Sequence, residues 1–136
     1  ETPSDWNVEH IELAKKASNN AYAPYSKFKV GACIELVNGE YILGANVENA
    51  SYGLTCCAER NALFQLYNRG FKKNDIKALY IYGPTLKPIS PCGACRQVIY
   101  ELCPHNIDIY LIASDLSYKQ TKIKELLPYG FLLTDE

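Results

Sequence analysis

Two short cysteine motifs constrain the possible folds of this chain more than any other feature. Cys57-Ala58-Glu59 comes first, and Pro91-Cys92-Gly93-Ala94-Cys95 follows it, with Cys92 lying 33 residues after Glu59. Thiols at this spacing are typical of zinc sites, and a catalytic zinc site uses three protein ligands and leaves the fourth position to water. We therefore predict a fold that brings Cys57, Cys92 and Cys95 together as zinc ligands, with the Glu59 carboxylate beside the open position.

The cysteine content also permits other interpretations. Six cysteines in 136 residues are compatible with three disulfides in a secreted protein. Cys56 and Cys57 are adjacent, however, which suits disulfide pairing poorly. Cys33 and Cys103 have apolar neighbours, so we expect them, with Cys56, to be small buried side chains. Cys56 remains an alternative to Cys57 as a ligand, although only Cys57 lies two residues before Glu59.

Length and charge narrow the class of protein. A chain of 136 residues with 48% apolar residues suits one domain, which we expect to span residues 1–136. Fourteen basic and fifteen acidic residues give a net charge of -1, which disfavours nucleic acid as a partner. No run approaches the ~18 apolar residues of a membrane helix, and the polar first residues do not resemble a signal peptide. We expect a cytoplasmic protein that binds no membrane.

Hydrophobic periodicity predicts an α/β fold. Helices are expected over residues 7–21, 57–67, 93–102 and 123–127, and strands over 29–36, 40–46, 76–82 and 107–112. Asn38-Gly39 lies between the first two strands, which predicts an antiparallel hairpin. Helices alternating with the later strands then favour a mixed sheet covered by helices on both faces.

Both cysteine motifs open predicted helices, and this position favours metal binding. The positive end of a helix dipole stabilises the thiolate form that binds zinc. Arg60 and Arg96 each follow a motif residue and are candidates to compensate the charge of three thiolates. Glu59 is a candidate general base and then acid, although a first-turn glutamate is also common at an exposed helix start. His10 and His105 are not expected to be ligands.

The chain resembles the small homotetrameric cytidine deaminases that bind zinc through three cysteines. Five stretches carry this resemblance: residues 23–32, 44–50, 57–62, 91–98 and 125–128. Their cysteine and glutamate pattern is the signature of zinc deaminases. The resemblance implies a three-layer α/β/α sandwich around a five-stranded mixed sheet, with one zinc ion per subunit. It further implies a hydrolase of pyrimidine salvage that converts cytidine and deoxycytidine to uridine and deoxyuridine with release of ammonia.

The same resemblance assigns substrate-binding residues and a homotetrameric assembly. Asn46 and Glu48 are implied to hold the ribose hydroxyls, and Phe28 to flank the base. Phe131 is implied to reach in from a neighbouring subunit, while Ala50 and Tyr52 line the same loop. Without the family, the interpretation of Phe28 and Phe131 as core aromatics is favoured, and Asn46 and Glu48 also fit a solvated strand end.

Two other functions stay open. Leu132-Leu133-Thr134-Asp135 follows Phe131 where the family usually has Gly-Pro, and this ending is similar to the deaminases that act on blasticidin S. The loop of residues 46–49 instead favours cytidine. A non-catalytic zinc module is the third possibility, and it predicts a fourth protein ligand or a blocked water position.

Overall fold

The structure is a computed structural model and describes residues 5–130. Its α-helices are α1 (Asp5–Ala17), α2 (Ala58–Asn68), α3 (Gly93–Leu102) and α4 (Ile123–Leu126). Its strands are β1 (Gly31–Leu36), β2 (Tyr41–Ala45), β3 (Ile76–Tyr82), β4 (Asp108–Ile112) and β5 (Tyr118–Thr121). Single 3-10 turns occupy Ser18–Asn20, Tyr52–Leu54 and Lys73–Asp75. No helix within this part of the chain combines the length and apolar character needed to cross a membrane.

The five strands form one mixed sheet with the order β2-β1-β3-β4-β5. β1 is antiparallel to both β2 and β3, β3 is parallel to β4, and β5 is antiparallel to β4. The predicted hairpin of the first two strands and the five-stranded mixed sheet are therefore confirmed. β5 has no counterpart among the four strands that periodicity predicts, because its exposed residues Lys119 and Gln120 give no apolar alternation.

Helices cover both faces of the sheet and complete the three-layer sandwich. On one face, Ile11 and Ala14 of α1 pack with Cys33, Tyr80 and Tyr110. On the other face, α2 and α3 contribute Leu63, Leu66 and Ile99 to a second cluster that contains Ile34 and Leu79. Because the inner strands contact helices on both sides, β1 is buried over its whole length.

The bounds of two helices differ from the prediction in an informative way. α1 ends at Ala17 rather than at residue 21, and a 3-10 turn follows. The Ser18 hydroxyl donates a hydrogen bond to the Lys15 carbonyl at 2.5 Å, and such side-chain bonds compete with the helical pattern. α2 begins one residue later than predicted, so that Cys57 is its N-cap residue. Its end at Asn68 lies one residue beyond the predicted end at residue 67, and Gly70 follows with φ +90°.

Candidate zinc centre and active site

The starts of two helices bring the three predicted thiols together. Cys57 is the N-cap residue of α2 and Cys92 is the N-cap residue of α3, while Cys95 lies in the first turn of α3. Their three sulfur atoms all lie within 4.8 Å of one another, and the Cys57 and Cys92 sulfurs are 3.7 Å apart. Sulfurs bound tetrahedrally to zinc at 2.3 Å are separated by about 3.8 Å, so the spacing fits this ion.

Cys56 does not belong to this group of thiols. Its Sγ lies 3.8 Å from the carbonyl oxygen of Cys57, and the cluster of potential ligands among the described residues consists of Cys57, Cys92 and Cys95. All six cysteines are free thiols, so the disulfide interpretation is not realised in this fold. Cys33 and Cys103 are fully buried, and burial raises the pKa of each thiol to about 12.

The electrostatics of the cluster favour a thiolate at Cys57. A hydrogen bond from the Cys95 thiol and another from Arg60 lower the pKa of Cys57 well below that of an ordinary cysteine, although partial burial opposes them. The pKa of Cys95 is raised because its thiol donates this bond and is buried. The proton therefore stays on Cys95 while Cys57 is ionised, and metal binding to cysteine displaces such protons.

The two candidate arginines have different contacts. Arg60 Nη2 donates hydrogen bonds to the Cys57 sulfur at 3.5 Å and to the Thr55 carbonyl at 3.2 Å. Arg96 instead donates to backbone carbonyls, from Nε to Pro91 at 2.8 Å and from Nη1 to Leu126 at 2.9 Å. Arg60 therefore places its charge beside a sulfur, whereas Arg96 ties the peptide before Cys92 to the end of α4.

Glu59 lies in the first turn of α2 and is only 4% exposed. Burial is the main reason that its pKa is raised to about 6. A carboxyl group with a pKa close to neutral can both accept and return a proton at physiological pH. Its position next to the thiol cluster makes it a candidate proton carrier.

These groups share one cavity of about 690 Å³, which is within the usual range for small-molecule sites. Four of the residues implied by the family resemblance line it together with Cys57, Glu59 and Cys92, namely Phe28, Asn46, Glu48 and Ala50. None of the described residues that line the cavity is a lysine, arginine or histidine. Phe131 and the Tyr52 side chain lie outside the described part of the structure.

The same cavity carries the polar pair predicted for the sugar, Asn46 and Glu48. Glu48 accepts hydrogen bonds from the backbone amides of Tyr25 and Ser26 at 3.0 and 3.2 Å, and from the Ser26 hydroxyl. These donors, with the Ser26 hydroxyl first, lower the pKa of Glu48 below its usual value. Asn46 is 8% exposed and bonds the Val30 amide through Oδ1 and the Phe28 carbonyl through Nδ2, both at 2.9 Å.

Several cavity residues were missed by the sequence reasoning. Ile89, Ser90 and Pro91 form the wall next to Cys92, and their place directly before a ligand was a usable signal. Ser26 and Thr55 also line the cavity, but no spacing pattern in the sequence points to either of them.

Comparisons with known proteins agree with this geometry. Residues 4–111 match the family described as the cytidine and deoxycytidylate deaminase zinc-binding region. The chain is 46% identical over 125 residues to a cytidine deaminase from Halalkalibacterium halodurans, covering 92% of this chain and 93% of that protein. It is 30% identical over 135 residues to a blasticidin-S deaminase from Bacillus cereus, with 94% of each protein covered.

A solved structure extends the similarity to the fold. The crystal structure of a cytidine deaminase from Burkholderia pseudomallei superposes with a TM-score of 0.88 at 45% identity, covering 91% of this chain and 98% of that one. The similarity of fold and of sequence to this solved structure therefore agrees with the family match over residues 4–111. The chain belongs to the family of the cytidine and deoxycytidylate deaminase zinc-binding region.

Proposed function

We propose that this protein is a zinc-dependent hydrolase that deaminates cytidine and deoxycytidine to uridine and deoxyuridine, with release of ammonia. The observation that carries the proposal is the position of Glu59, a buried carboxyl group beside three clustered thiols in the wall of a nucleoside-sized cavity. The identity to cytidine deaminases over more than nine tenths of the chain supports the choice of substrate.

The three thiols suit one zinc ion per subunit, held by Cys57, Cys92 and Cys95. Held by these thiols, zinc would supply the Lewis acidity that prepares a water molecule for attack on C4 of the base. Glu59 takes a proton from that water on a carboxylate oxygen and delivers it to N3. It then takes the proton of the hydroxyl group added at C4 and delivers it to the amine, which leaves as ammonia while the C4 carbonyl forms. Arg60 compensates the charge of the Cys57 thiolate and leaves the ligand set less negative.

The part of the cavity wall formed by Asn46 and Glu48 is suited to an uncharged sugar. Glu48 and Asn46 are proposed to bind the ribose hydroxyls, and Phe28 and Ala50 to line the space around the base and sugar. A phosphate group near Glu48 meets a carboxylate and no described basic lining residue, so the site favours nucleosides over nucleotides and polynucleotides. Tyr52 and Phe131 are proposed to complete the site, the latter from a neighbouring subunit.

Two alternatives receive less support. A blasticidin-S deaminase is less similar to this chain, at 30% identity, than the cytidine deaminase at 46%. The loop of residues 46–49, which favours cytidine, contributes three residues to the cavity lining, Asn46, Glu48 and Asn49. A non-catalytic zinc module predicts a fourth protein ligand or a blocked water position, and the ligand cluster among residues 5–130 contains three residues.

We also propose a homotetramer formed by a single domain of residues 1–136. Large apolar side chains near the cavity are exposed in the single chain, including Tyr22 at 56% and Leu54 at 70%, as expected for surfaces that meet other subunits. A cytoplasmic role in pyrimidine salvage completes the proposal, and six free thiols are consistent with a reducing compartment.

The test is a substrate panel assayed with the zinc-loaded protein. Cytidine, deoxycytidine, cytidine monophosphate and blasticidin S are each followed by the change in ultraviolet absorbance on deamination. We expect turnover of the first two and little or none of the others. Absence of cytidine turnover by a protein with one bound zinc ion per chain contradicts the proposal, and preferential turnover of blasticidin S supports the alternative.

A further inference from the structure

The Ser26 hydroxyl contacts two residues that line the proposed substrate cavity, Glu48 and Phe28. It donates a hydrogen bond to Glu48 Oε2 and accepts one from the Phe28 amide at 3.0 Å. Because a hydroxyl group has one proton, the bond to Glu48 leaves only lone pairs for the Phe28 amide. The orientation of the hydroxyl is thus defined by both neighbours.

The Glu48 carboxylate is nearly saturated by this loop. Its Oε1 accepts from the Tyr25 and Ser26 amides, and its Oε2 accepts from the Ser26 hydroxyl. A carboxylate offers about four acceptor positions on its two oxygens. One position on Oε2 therefore remains for a ligand, and its direction depends on the Ser26 hydroxyl that occupies the other.

The loop that presents Ser26 is held at several points and has an unusual backbone. Lys27 has φ +61°, a left-handed conformation that is uncommon for residues other than glycine and is retained when surrounding contacts enforce it. The Phe28 peptide is fixed at its amide by Ser26 and at its carbonyl by Asn46. Ser26 thus connects the Glu48 carboxylate to the backbone of the aromatic residue in the cavity wall.

From these contacts we propose that Ser26 is a positioning residue that sets the selectivity of the site for sugar hydroxyls. Its hydroxyl holds Glu48 so that a single acceptor position faces the cavity, and that position receives a ribose hydroxyl. The inference rests on the proposed function and adds Ser26 to the residues through which the cavity recognises the sugar. A site built to bond a hydroxyl discriminates against an analogue that lacks it.

The experiment compares cytidine with 2′,3′-dideoxycytidine in the zinc-loaded protein and in two variants at this position. Ser26→Ala is expected to lower kcat/KM for cytidine about three- to tenfold, mainly through KM, because one charge-assisted hydrogen bond is lost. Its kcat/KM for dideoxycytidine is expected to stay unchanged, so the preference for cytidine falls by the same factor. Ser26→Thr keeps the hydroxyl and is expected to show the native preference for cytidine over dideoxycytidine.

A matched control and a double variant separate this role from general loosening of the structure. Ser117 also donates its hydroxyl to a nearby carboxylate, Asp115, at 2.6 Å, but lies in the turn between β4 and β5. Ser117→Ala is expected to leave both substrates unaffected. In a Glu48→Ala background, Ser26→Ala is expected to cause no further loss of preference, since the group that it positions is gone.

The outcomes distinguish the inference from the function on which it rests. Equal losses for both substrates in Ser26→Ala, failure of Ser26→Thr to restore the preference, or additive losses with Glu48→Ala overturn the role of Ser26. In each case the native protein still deaminates cytidine. A native protein that does not deaminate cytidine contradicts the proposed function instead.

Discussion

Gly44 connects the packing of the sheet to the geometry of the active site, and its replacement by alanine tests this connection. A Cβ atom at this position in β2 meets the Ala58 carbonyl oxygen and the Ala62 amide nitrogen, each at 2.6 Å. Both contacts belong to the backbone of α2, the helix that carries Glu59 and follows Cys57. Since ordinary contacts of carbon atoms lie near 3.5 Å, α2 must move by about 0.5 to 1 Å.

This movement is expected to affect stability and activity together. Overpacking of this kind typically costs about 1 to 3 kcal/mol of unfolding free energy, because backbone cannot rotate away as a side chain can. A displacement near 1 Å in a catalytic group lowers turnover by about 100-fold. Denaturant unfolding and steady-state cytidine kinetics on Gly44→Ala measure the two effects, and we expect kcat to fall even where the protein is fully folded.

Two further variants make the prediction specific. Ala62→Gly added to Gly44→Ala removes the Ala62 Cβ atom at 2.9 Å but leaves both backbone contacts, so we expect no recovery of kcat. Gly53→Ala places its Cβ in open space and is expected to keep native stability. Native stability and kcat in Gly44→Ala, or full recovery in the double variant, refute this reasoning.

Three further predictions concern the thiols and their neighbours. Glu59→Ala should retain zinc but lose about 100- to 10,000-fold in kcat, because general acid and base catalysis by the carboxylate is removed. Metal content and kcat are measured together, and a kcat within threefold of native contradicts the role of Glu59 as proton carrier. Arg60→Gln removes the cation bonded to the Cys57 sulfur, so a chelator should extract zinc about 10- to 100-fold faster; an unchanged release rate rules this effect out. Buried Cys33 and Cys103, each with a pKa raised to about 12 from 9.0, stay protonated when folded and ionise on unfolding. The stability that these thiols contribute is complete below pH 9.0 and falls above it by about 1 kcal/mol per pH unit for each thiol. In Cys103→Ala, the unfolding free energy measured with denaturant should therefore decline less steeply with pH in the alkaline range. A decline as steep as that of the native protein disproves the linkage.

Local sequence signals predicted those elements whose ends are marked by their own residues. The bounds of β3 and α3 agree with the predicted residues 76–82 and 93–102, since turn residues and cysteine motifs flank them. The three ligand thiols were also predictable, because spacing and helix starts are properties of the local chain. The helix that carries Glu59 differed from the prediction by one residue at each end.

Other features depend on partners that lie far away along the chain. β5 is held by pairing with β4 despite its exposed polar residues, and periodicity cannot reveal such an edge strand. Arg96 finds its partners at Pro91 and at Leu126, which lies thirty residues away, so its sequence position beside Cys95 was misleading about its contacts. The bond between Ser26 and Glu48 spans 22 residues and likewise leaves no local trace.

The most direct test of the central claim is the coordination of zinc in the loaded protein, measured by X-ray absorption at the zinc edge. A catalytic site built from Cys57, Cys92 and Cys95 predicts three sulfur atoms at about 2.3 Å and one oxygen at about 2.0 to 2.2 Å. The spectrum should be unchanged in Cys56→Ala. Four sulfur atoms in the native protein, with one lost in Cys56→Ala, contradict an open position for water beside Glu59.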